Sequence, residues 1–420
     1  MRRARLYAAV FGLATAAATA VAADDTLPHA RPLTDRTFER TSERLERGRY
    51  LTEHVLQCFI CHSDRDTAKP GAPPVESRKG AGTIRFDEGD RRLIAPNLTP
   101  DPETGAGLWT DDMLARAIRE GIGHDGRALS PSMWYGSFAM LSDEDLAAVI
   151  VYLRSIPAVR NPLPPTVMPA EERARWAYEP RPITAPVSGP PPGDALARGR
   201  YLANVADCAG CHTSWHGSRM PGLYGGGNQI ETRIGSAFSA NLTPDASGVT
   251  YPPDAFVAVM RSGKGGAMSP VMPWVAFAGM TDEDLVAISR ALAGLQPVRH
   301  YVGNVGEPRQ CAVCGQSHPH GELNRIETPV GIPVEAAVLA RYAGSYHHLG
   351  WDLTIAIRAE GARLYGTEPG AEEIELVPVT PTRFLAPGWP APIQFEVDGA
   401  GNAIGLWTLE LEREHFDRVP

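Results

Sequence analysis

The stretch Cys58-Phe59-Ile60-Cys61-His62 returns later in the chain as Cys208-Ala209-Gly210-Cys211-His212. Both follow the spacing C-x-x-C-H, the attachment signature of a c-type haem. In that chemistry two thiols add to the porphyrin vinyl groups and the histidine behind them ligates the iron. Two disulfides or two redox C-x-x-C motifs are the competing reading, and they leave the repeated histidine unexplained. The expected cofactors are therefore two covalently attached haem c groups. Cys58, Cys61 and His62 would hold one, and Cys208, Cys211 and His212 the other.

The repetition extends beyond the pentapeptides. Arg47-Gly48-Arg49-Tyr50-Leu51 reappears as Arg198-Gly199-Arg200-Tyr201-Leu202, and Asn97-Leu98-Thr99-Pro100-Asp101 as Asn241-Leu242-Thr243-Pro244-Asp245. Asp143-Glu144-Asp145-Leu146 matches Asp282-Glu283-Asp284-Leu285. A period this long means two similar globules rather than a solenoid. Each copy closes on a capped amphipathic helix. Ser142 with Asp145, and Thr281 with Asp284, form the ends of capping boxes. Leu146, Val149, Ile150 and Leu153 share one face, as do Leu285, Ile288 and Leu292. Pro157 and Pro297 stop these helices. Shorter helices are expected from Thr110, where Asp111 and Asp112 are helix-start charges, and from Pro253. Helix, haem turn, loop, helix, ligand loop, helix is the order of a small cytochrome c fold.

A histidine-bound iron has a second face. Methionine sulfur is a soft ligand that raises the potential for electron transfer. Ser130-Pro131-Ser132-Met133 and Ser269-Pro270-Val271-Met272 align on Ser-Pro, which places Met133 and Met272 71 and 60 residues after His62 and His212. Both are assigned as distal iron ligands, leaving Met140, Met268 and Met280 as packing residues. Trp109, Trp134, Trp215 and Trp274 are expected to line the haem pockets. His54, His124, His216, His347 and His348 are read as surface or local structural groups. Gly225-Gly226-Gly227 has no strand-to-helix context for a phosphate cradle and is read as a flexible loop.

The chain's 420 residues are 43% hydrophobic, which allows several cores. Arg2, Arg3 and Arg5 precede an apolar run to Ala22, and Ala20-Val21-Ala22 fits a cleavage site. Residues 1–22 are expected to be a signal peptide, with a retained membrane anchor as the alternative. Export to the periplasm agrees with thioether haem attachment. No later stretch is apolar enough to span a bilayer, so membrane association is expected only through a complex. Without residues 1–22 the chain has 37 basic against 49 acidic residues, a balance that gives no support to nucleic acid as a partner.

The expected division is a lead-in at 23–41, loose in structure, and a first cytochrome c domain at 42–160. A Pro-rich linker follows at 161–193, then a second cytochrome c domain at 194–300. A connector at 301–334 leads to a small antiparallel β domain at 335–420. Eleven prolines between 157 and 192 predict a stiff strap running over both modules, with one helical turn from Arg173 to Tyr178. The third cysteine pair, Cys311-Ala312-Val313-Cys314-Gly315, has glycine where haem attachment needs histidine. A disulfide is the first reading in an exported chain. A metal site from Cys311, Cys314, His318 and His320 is the second. From Glu335 onward apolar residues alternate, as in Leu353, Ile355 and Ile357, which predicts strands.

The run from Asn97 to Val159 resembles the dihaem and trihaem cytochrome c subunits of bacterial membrane-bound alcohol, aldehyde and gluconate dehydrogenases. Asn97 to Asp101, Leu108-Trp109-Thr110, Arg119-Glu120-Gly121, Met133 and Leu141 to Leu146 carry the resemblance. In the second copy Asn241 to Asp245, Met272-Pro273-Trp274 and Thr281 to Leu285 carry it. It implies two mainly-α class I cytochrome c domains in tandem with His/Met haems. It also implies electron transfer from a dehydrogenase donor toward quinone or a terminal oxidase. A dihaem peroxidase, a thiosulfate-oxidising cytochrome and a scaffold acting through the β domain are the alternative classes. Tyr342-Ala343-Gly344-Ser345-Tyr346 and Leu376-Val377-Pro378-Val379 resemble the small β-barrel module appended to some serine β-lactamase-like proteins. With that barrel the expected fold class is multidomain.

Overall fold

Two glycines set how each repeat packs. The helix Ser42–Tyr50 crosses the helix Asp143–Leu153 so closely that a Cβ on Gly48 would lie 1.9 Å from the carbonyl oxygen of Ala148. In the second repeat Ala195–Val205 crosses Asp282–Ala293, and a Cβ on Gly199 would lie 2.0 Å from the carbonyl oxygen of Ala287. Only a residue without a side chain allows this approach. The computed structural model describes residues 30–176, 182–214, 221–232, 235–249, 251–263, 271–326, 330–348, 353–386, 392–409 and 413–419. The signal-like segment 1–22 and Trp215, His216 and Met268 lie outside them.

The expected N-caps Ser142 and Thr281 accept from the backbone N–H groups of Asp145 and Asp284, but the reciprocal half of each capping box is taken by a tyrosine, with Ser142 N–H meeting Tyr201 Oη and Thr281 N–H meeting Tyr50 Oη. Thr41 and Asp194 cap the first helix of each repeat through the N–H groups of Arg44 and Ala197. Thr110 caps the helix Asp111–Glu120, whose second-repeat counterpart is Pro253–Ser262. The first helix continues through a π turn at Leu51–Val55.

The repeats join through a reciprocal exchange. Tyr50 Oη donates to Asp284 Oδ2 at 2.5 Å, and Tyr201 Oη donates to Asp145 Oδ2 at 2.7 Å. Each aspartate also takes an arginine from its own repeat, Arg47 on Asp145 and Arg198 on Asp284. Equivalent residues thus trade equivalent bonds about an approximate two-fold axis. One apolar core runs through both repeats, including Leu51, Ile150, Leu202 and Leu285.

Where sequence reading expected loops, each repeat carries a hairpin. Strands β1 (Thr83–Glu88) and β2 (Arg91–Ala95) form one, and β3 (Gln229–Thr232) and β4 (Gly235–Phe238) the other. A third, very short pair, β5 (Arg309–Gln310) and β6 (Ser317–His318), lies in the connector. The C-terminal β domain is an eight-stranded closed barrel of antiparallel strands in sequence order. Its strands are β7 (Gly344–His348), β8 (Leu353–Glu360), β9 (Arg363–Thr367), β10 (Ile374–Pro378), β11 (Arg383–Leu385), β12 (Ile393–Val397), β13 (Ala403–Leu409) and β14 (Arg413–Val419). β14 pairs with β7 and closes the wall, which removes both exposed edges. Tyr342, Tyr346, Phe384, Phe395 and Phe416 fill the interior with Ile355, Leu364 and Leu406. Tyr342 stacks on Phe395 with ring centroids 4.7 Å apart.

Two expectations need correction. The lead-in is not loose from residue 30 onward. Arg31 forks onto both oxygens of Asp112 at 2.8 Å and reaches Glu120 at 2.7 Å. The backbone N–H of Phe38 donates to Asp111. The helix-start aspartates therefore anchor the incoming chain as well as their own helix. The Pro-rich strap pairs Val167 with Arg92 through two backbone bonds, and Val187 accepts from the N–H of Asp143, so these contacts lie on the first repeat. Its helix is Ala170–Trp176, starting earlier than expected. Among the described residues no helix is long and apolar enough to cross a membrane.

Gly48→Ala or Gly199→Ala should lower stability in chemical denaturation by about 1–3 kcal/mol or more through overpacking. Gly136→Ala, where nothing lies within 4 Å, should be close to neutral. A second prediction concerns pH. Burial acts to raise the Asp112 carboxyl, but Arg31 and the Thr34 N–H outweigh it and hold the group down from 3.8 to about 2. A carboxyl depressed in the folded state contributes stability above its unfolded pKa and loses it as pH falls. Thermal stability should carry this contribution from neutral pH to about 4 and lose it as pH falls toward 2. In Arg31→Ala that component of the acid sensitivity should be largely lost.

Candidate functional site

Each C-x-x-C-H segment is entered through a left-handed residue, Gln57 at φ 56° and Asp207 at φ 57°. A short helical turn follows, Cys58–Cys61 in one repeat and Cys208–His212 in the other. Positions three apart on a helix lie on one face, so each turn presents two thiols side by side with the histidine next in line.

The histidines are held alike. His62 Nδ1 lies 2.8 Å from the carbonyl oxygen of Pro96, and His212 Nδ1 lies 2.8 Å from that of Ala240. A carbonyl accepts only from a protonated nitrogen, so Nδ1 carries the proton and Nε2 keeps its lone pair. Burial pushes the His62 imidazole down to about 4, against the bond to Pro96. Burial lowers His212 in the same way. A neutral imidazole with one nitrogen tied to a carbonyl and the other free is the form in which histidine takes a metal.

The carbonyls themselves are clamped. Asn97 Nδ2 donates to Val159 O at 2.8 Å, and Asn97 Oδ1 accepts from the N–H and hydroxyl of Thr99 at 2.9 and 2.7 Å. Asn241 repeats this with Val298 O at 2.7 Å and Thr243 at 2.9 and 2.7 Å. Each asparagine follows directly on the residue whose carbonyl meets the histidine. The histidine's own carbonyl is bound too, by Gly82 N–H at 2.9 Å and by Gly226 N–H at 2.7 Å. Gly226 sits at φ 71°, where a Cβ would come within 2.5 Å of the Ala240 backbone. Gly225, Gly226 and Gly227 are buried. The glycine run is thus the backing of a site residue, which corrects its reading as a flexible loop.

A continuous cavity of about 1550 Å³ opens off these turns. Cys58, Cys61, His62 and Met133 line it from the first repeat, and Cys211 and Met272 from the second, whereas Cys208 and His212 do not reach its wall. Trp109 and Trp134 also line it, and His124 stacks on Trp109 at 4.2 Å. The unexpected hairpins supply walls through Arg85, Phe86, Ile94 and Ile230, and the strap adds Leu163. The turns approach each other across the repeat boundary. Gln57 donates to Ala206 O at 3.3 Å, and Ser137 Oγ donates to Asp207 Oδ1 at 2.6 Å. Burial pushes the Asp207 carboxyl up to about 6 despite the Ser137 bond.

No family model matches the chain. Individual relatives do. The chain is 28% identical over 339 residues to the cytochrome c subunit of alcohol dehydrogenase (quinone) from Gluconobacter oxydans, covering 69% of this chain and 67% of that protein. It is 30% identical over 185 residues to the gluconate 2-dehydrogenase cytochrome c subunit of Pantoea cypripedii, covering 40% of this chain and 38% of that one. The chain is related to dehydrogenase cytochrome c subunits. A subunit of nicotinate dehydrogenase from Pseudomonas putida is also similar, at 34% identity over 181 residues, which are 40% of this chain and 14% of that protein. The chain thus spans only part of each of these relatives.

In this relative of the dehydrogenase cytochromes, the other singled-out residues lie away from the cavity. Met280 is fully buried in the shared core and Met140 and Trp274 pack against it. His54 meets Ala276 O across the repeat boundary, His347 meets Thr354, and His348 lies against Phe416. Cys311 and Cys314 are free, buried thiols rather than a disulfide. His318 lies beside them, but His320 is exposed and His300 takes the place assigned to it. Sequence reading noticed Asn97 and Asn241 only as repeat markers. Their recurrence one frame behind each histidine was the available signal.

Asn97→Ala or Asn241→Ala removes the short bond to a backbone carbonyl, leaving it only weaker hydroxyl donors, and leaves a buried threonine N–H without its acceptor. Each substitution should cost about 1–3 kcal/mol in a denaturation experiment.

Proposed function

We propose that this chain is a dihaem c-type cytochrome that passes single electrons between a dehydrogenase-type donor and a respiratory acceptor on the quinone or oxidase side. The observation that carries the reading is the cavity onto which the first C-x-x-C-H turn brings Cys58, Cys61 and His62, the second brings Cys211, and each repeat brings a methionine, Met133 and Met272. Its volume exceeds the roughly 300–1,000 Å³ of an ordinary small-molecule pocket. Cys58 and Cys61 would bind one haem c and Cys208 and Cys211 the other. His62 and His212 would be the proximal ligands and Met133 and Met272 the distal ones. The bound iron supplies a one-electron ferric–ferrous couple.

The polypeptide's part is to fix and shield. Pro96 and Ala240 set the tautomer of each imidazole, and the Asn97 and Asn241 clamps keep those carbonyls still. A rigid ligand frame changes little with oxidation state, which keeps electron transfer fast. The apolar walls and Trp109 and Trp134 limit water, while Arg85 and Arg127 on the lining suit the porphyrin carboxylates. Ligation on both sides would leave no coordination place for a substrate, so the chain acts as a carrier. Residues 42–160 and 194–300 would be class I cytochrome c domains in tandem, with 161–193 as their strap and 301–334 leading to the barrel domain at 335–420. The exchanged tyrosine–aspartate bonds support close haem-to-haem transfer, since they tie together the two repeats that carry the turns. Export, with residues 1–22 removed, would place the protein in the periplasm beside its partners.

Met133→Ala and Met272→Ala test the ligand assignment in the haem-loaded protein. Each should convert one haem to a high-spin ferric form and halve the methionine-to-iron charge-transfer band. Variants whose spectra stay unchanged would remove the substituted residue from the ligand set.

A further inference from the structure

Outside the cavity, the connector and the residue just before it bring together four side chains with metal-binding atoms. His300, Cys311, Cys314 and His318 are fully buried, and their ligand atoms lie within 4.8 Å of one another. We propose that these four residues form a tetrahedral structural zinc site.

Three independent features support this. The first is the state of the two imidazoles. His300 Nδ1 is tied to Gly225 O at 2.8 Å and His318 Nδ1 to Pro319 O at 3.0 Å, so each ring turns Nε2 inward. His318 Nε2 is buried with no hydrogen-bond partner. An orphaned acceptor facing two thiols is costly unless a cation completes it. Second, the thiols sit on a knuckle. Cys311 N–H donates to Gln316 O and Gly315 N–H to Cys311 O, closing the turn between β5 and β6. Gly315 takes φ 77°, so the glycine that rules out a haem histidine is the one this turn needs. The N–H groups of Cys314 and Gln316 approach Cys311 Sγ at 3.4 Å and Cys314 Sγ at 3.5 Å, as they would to stabilise thiolates. The third is distance. His300 Nε2 lies 3.5 Å from Cys311 Sγ. Bond lengths of about 2.3 Å to sulfur and 2.0–2.1 Å to nitrogen give tetrahedral edges of about 3.3–3.8 Å.

Two thiolates and two imidazoles in a closed, dry, tetrahedral arrangement select zinc over hard cations. Binding releases two thiol protons and leaves a neutral site. The spacing His-x10-Cys-x2-Cys-x3-His places one ligand well before the cysteine pair. The site also has a mechanical consequence. His300 bonds Gly225, Gln316 bonds Ser214 at 2.7 Å and Gly227 at 2.9 Å, and Gly226 bonds His212. Zinc would therefore fasten the connector onto the loop that backs His212.

The test is elemental analysis of the full-length protein with zinc K-edge absorption spectroscopy, read per chain by amino-acid analysis. This count does not depend on haem loading, so it stands or falls apart from the cytochrome reading. One zinc per chain is expected, with two sulfur neighbours at about 2.3 Å and two nitrogen neighbours at about 2.0–2.1 Å. Cys314→Ser and His300→Ala should bring zinc close to zero, whereas His320→Ala should keep it. Wild-type protein without zinc, a Cys311–Cys314 disulfide in its intact mass, or zinc with no sulfur neighbours would each overturn the proposal.

Discussion

The hydrogen bond from a buried imidazole Nδ1 to a backbone carbonyl is the constraint on which the rest of the structure turns. It occurs twice, His62 to Pro96 and His212 to Ala240, at the same length. A buried histidine with one nitrogen fixed has a single chemical option left, a lone pair aimed from Nε2. Everything nearby serves to keep that aim. The asparagine after the carbonyl locks it in place, a threonine two residues on locks the asparagine, and a glycine N–H holds the histidine's own backbone. The crossing helices, brought together by Gly48 and Gly199, supply the rigid wall behind this frame.

Duplication adds a second level. The two repeats do not merely follow each other in sequence; they complete each other. Each lends a tyrosine hydroxyl to the aspartate that begins the other's closing helix. Gln57, just before the first C-x-x-C-H turn, reaches the backbone of Ala206 before the second across the same boundary. One reciprocal interface thus holds both turns against a single apolar core.

Much of this was legible in the sequence because period and motif are local. The caps at Ser142 and Thr281 and the helices that follow them read directly from spacing. The alternating strands of the C-terminal domain did too, and the doubled frame stood out at Arg47–Leu51 and Arg198–Leu202. What stayed hidden depends on the third dimension. The hairpin strands β1 and β2 gave no clean alternation, because their register shifts between Ile84 and Phe86 and consecutive residues, Arg85 with Phe86 and Leu93 with Ile94, line the cavity. Closure of the barrel needs β14 to find β7, a long-range pairing. Arg31 and Asp112 are 81 residues apart, so nothing nearby marked the lead-in as anchored. His300 escaped because only the histidines following the cysteine pair were weighed. The physical reason is that the turn at β5 and β6 folds Cys311 and Cys314 back onto a residue that precedes them.

The central claim is that two porphyrins are joined covalently to Cys58, Cys61, Cys208 and Cys211. Intact mass spectrometry of protein matured in a host that attaches haem c tests it most directly. The account predicts a polypeptide carrying two haem masses that survive denaturation, one lost in Cys58→Ala/Cys61→Ala and the other in Cys208→Ala/Cys211→Ala. A polypeptide of unmodified mass, or haem released by acidic solvent, would contradict it.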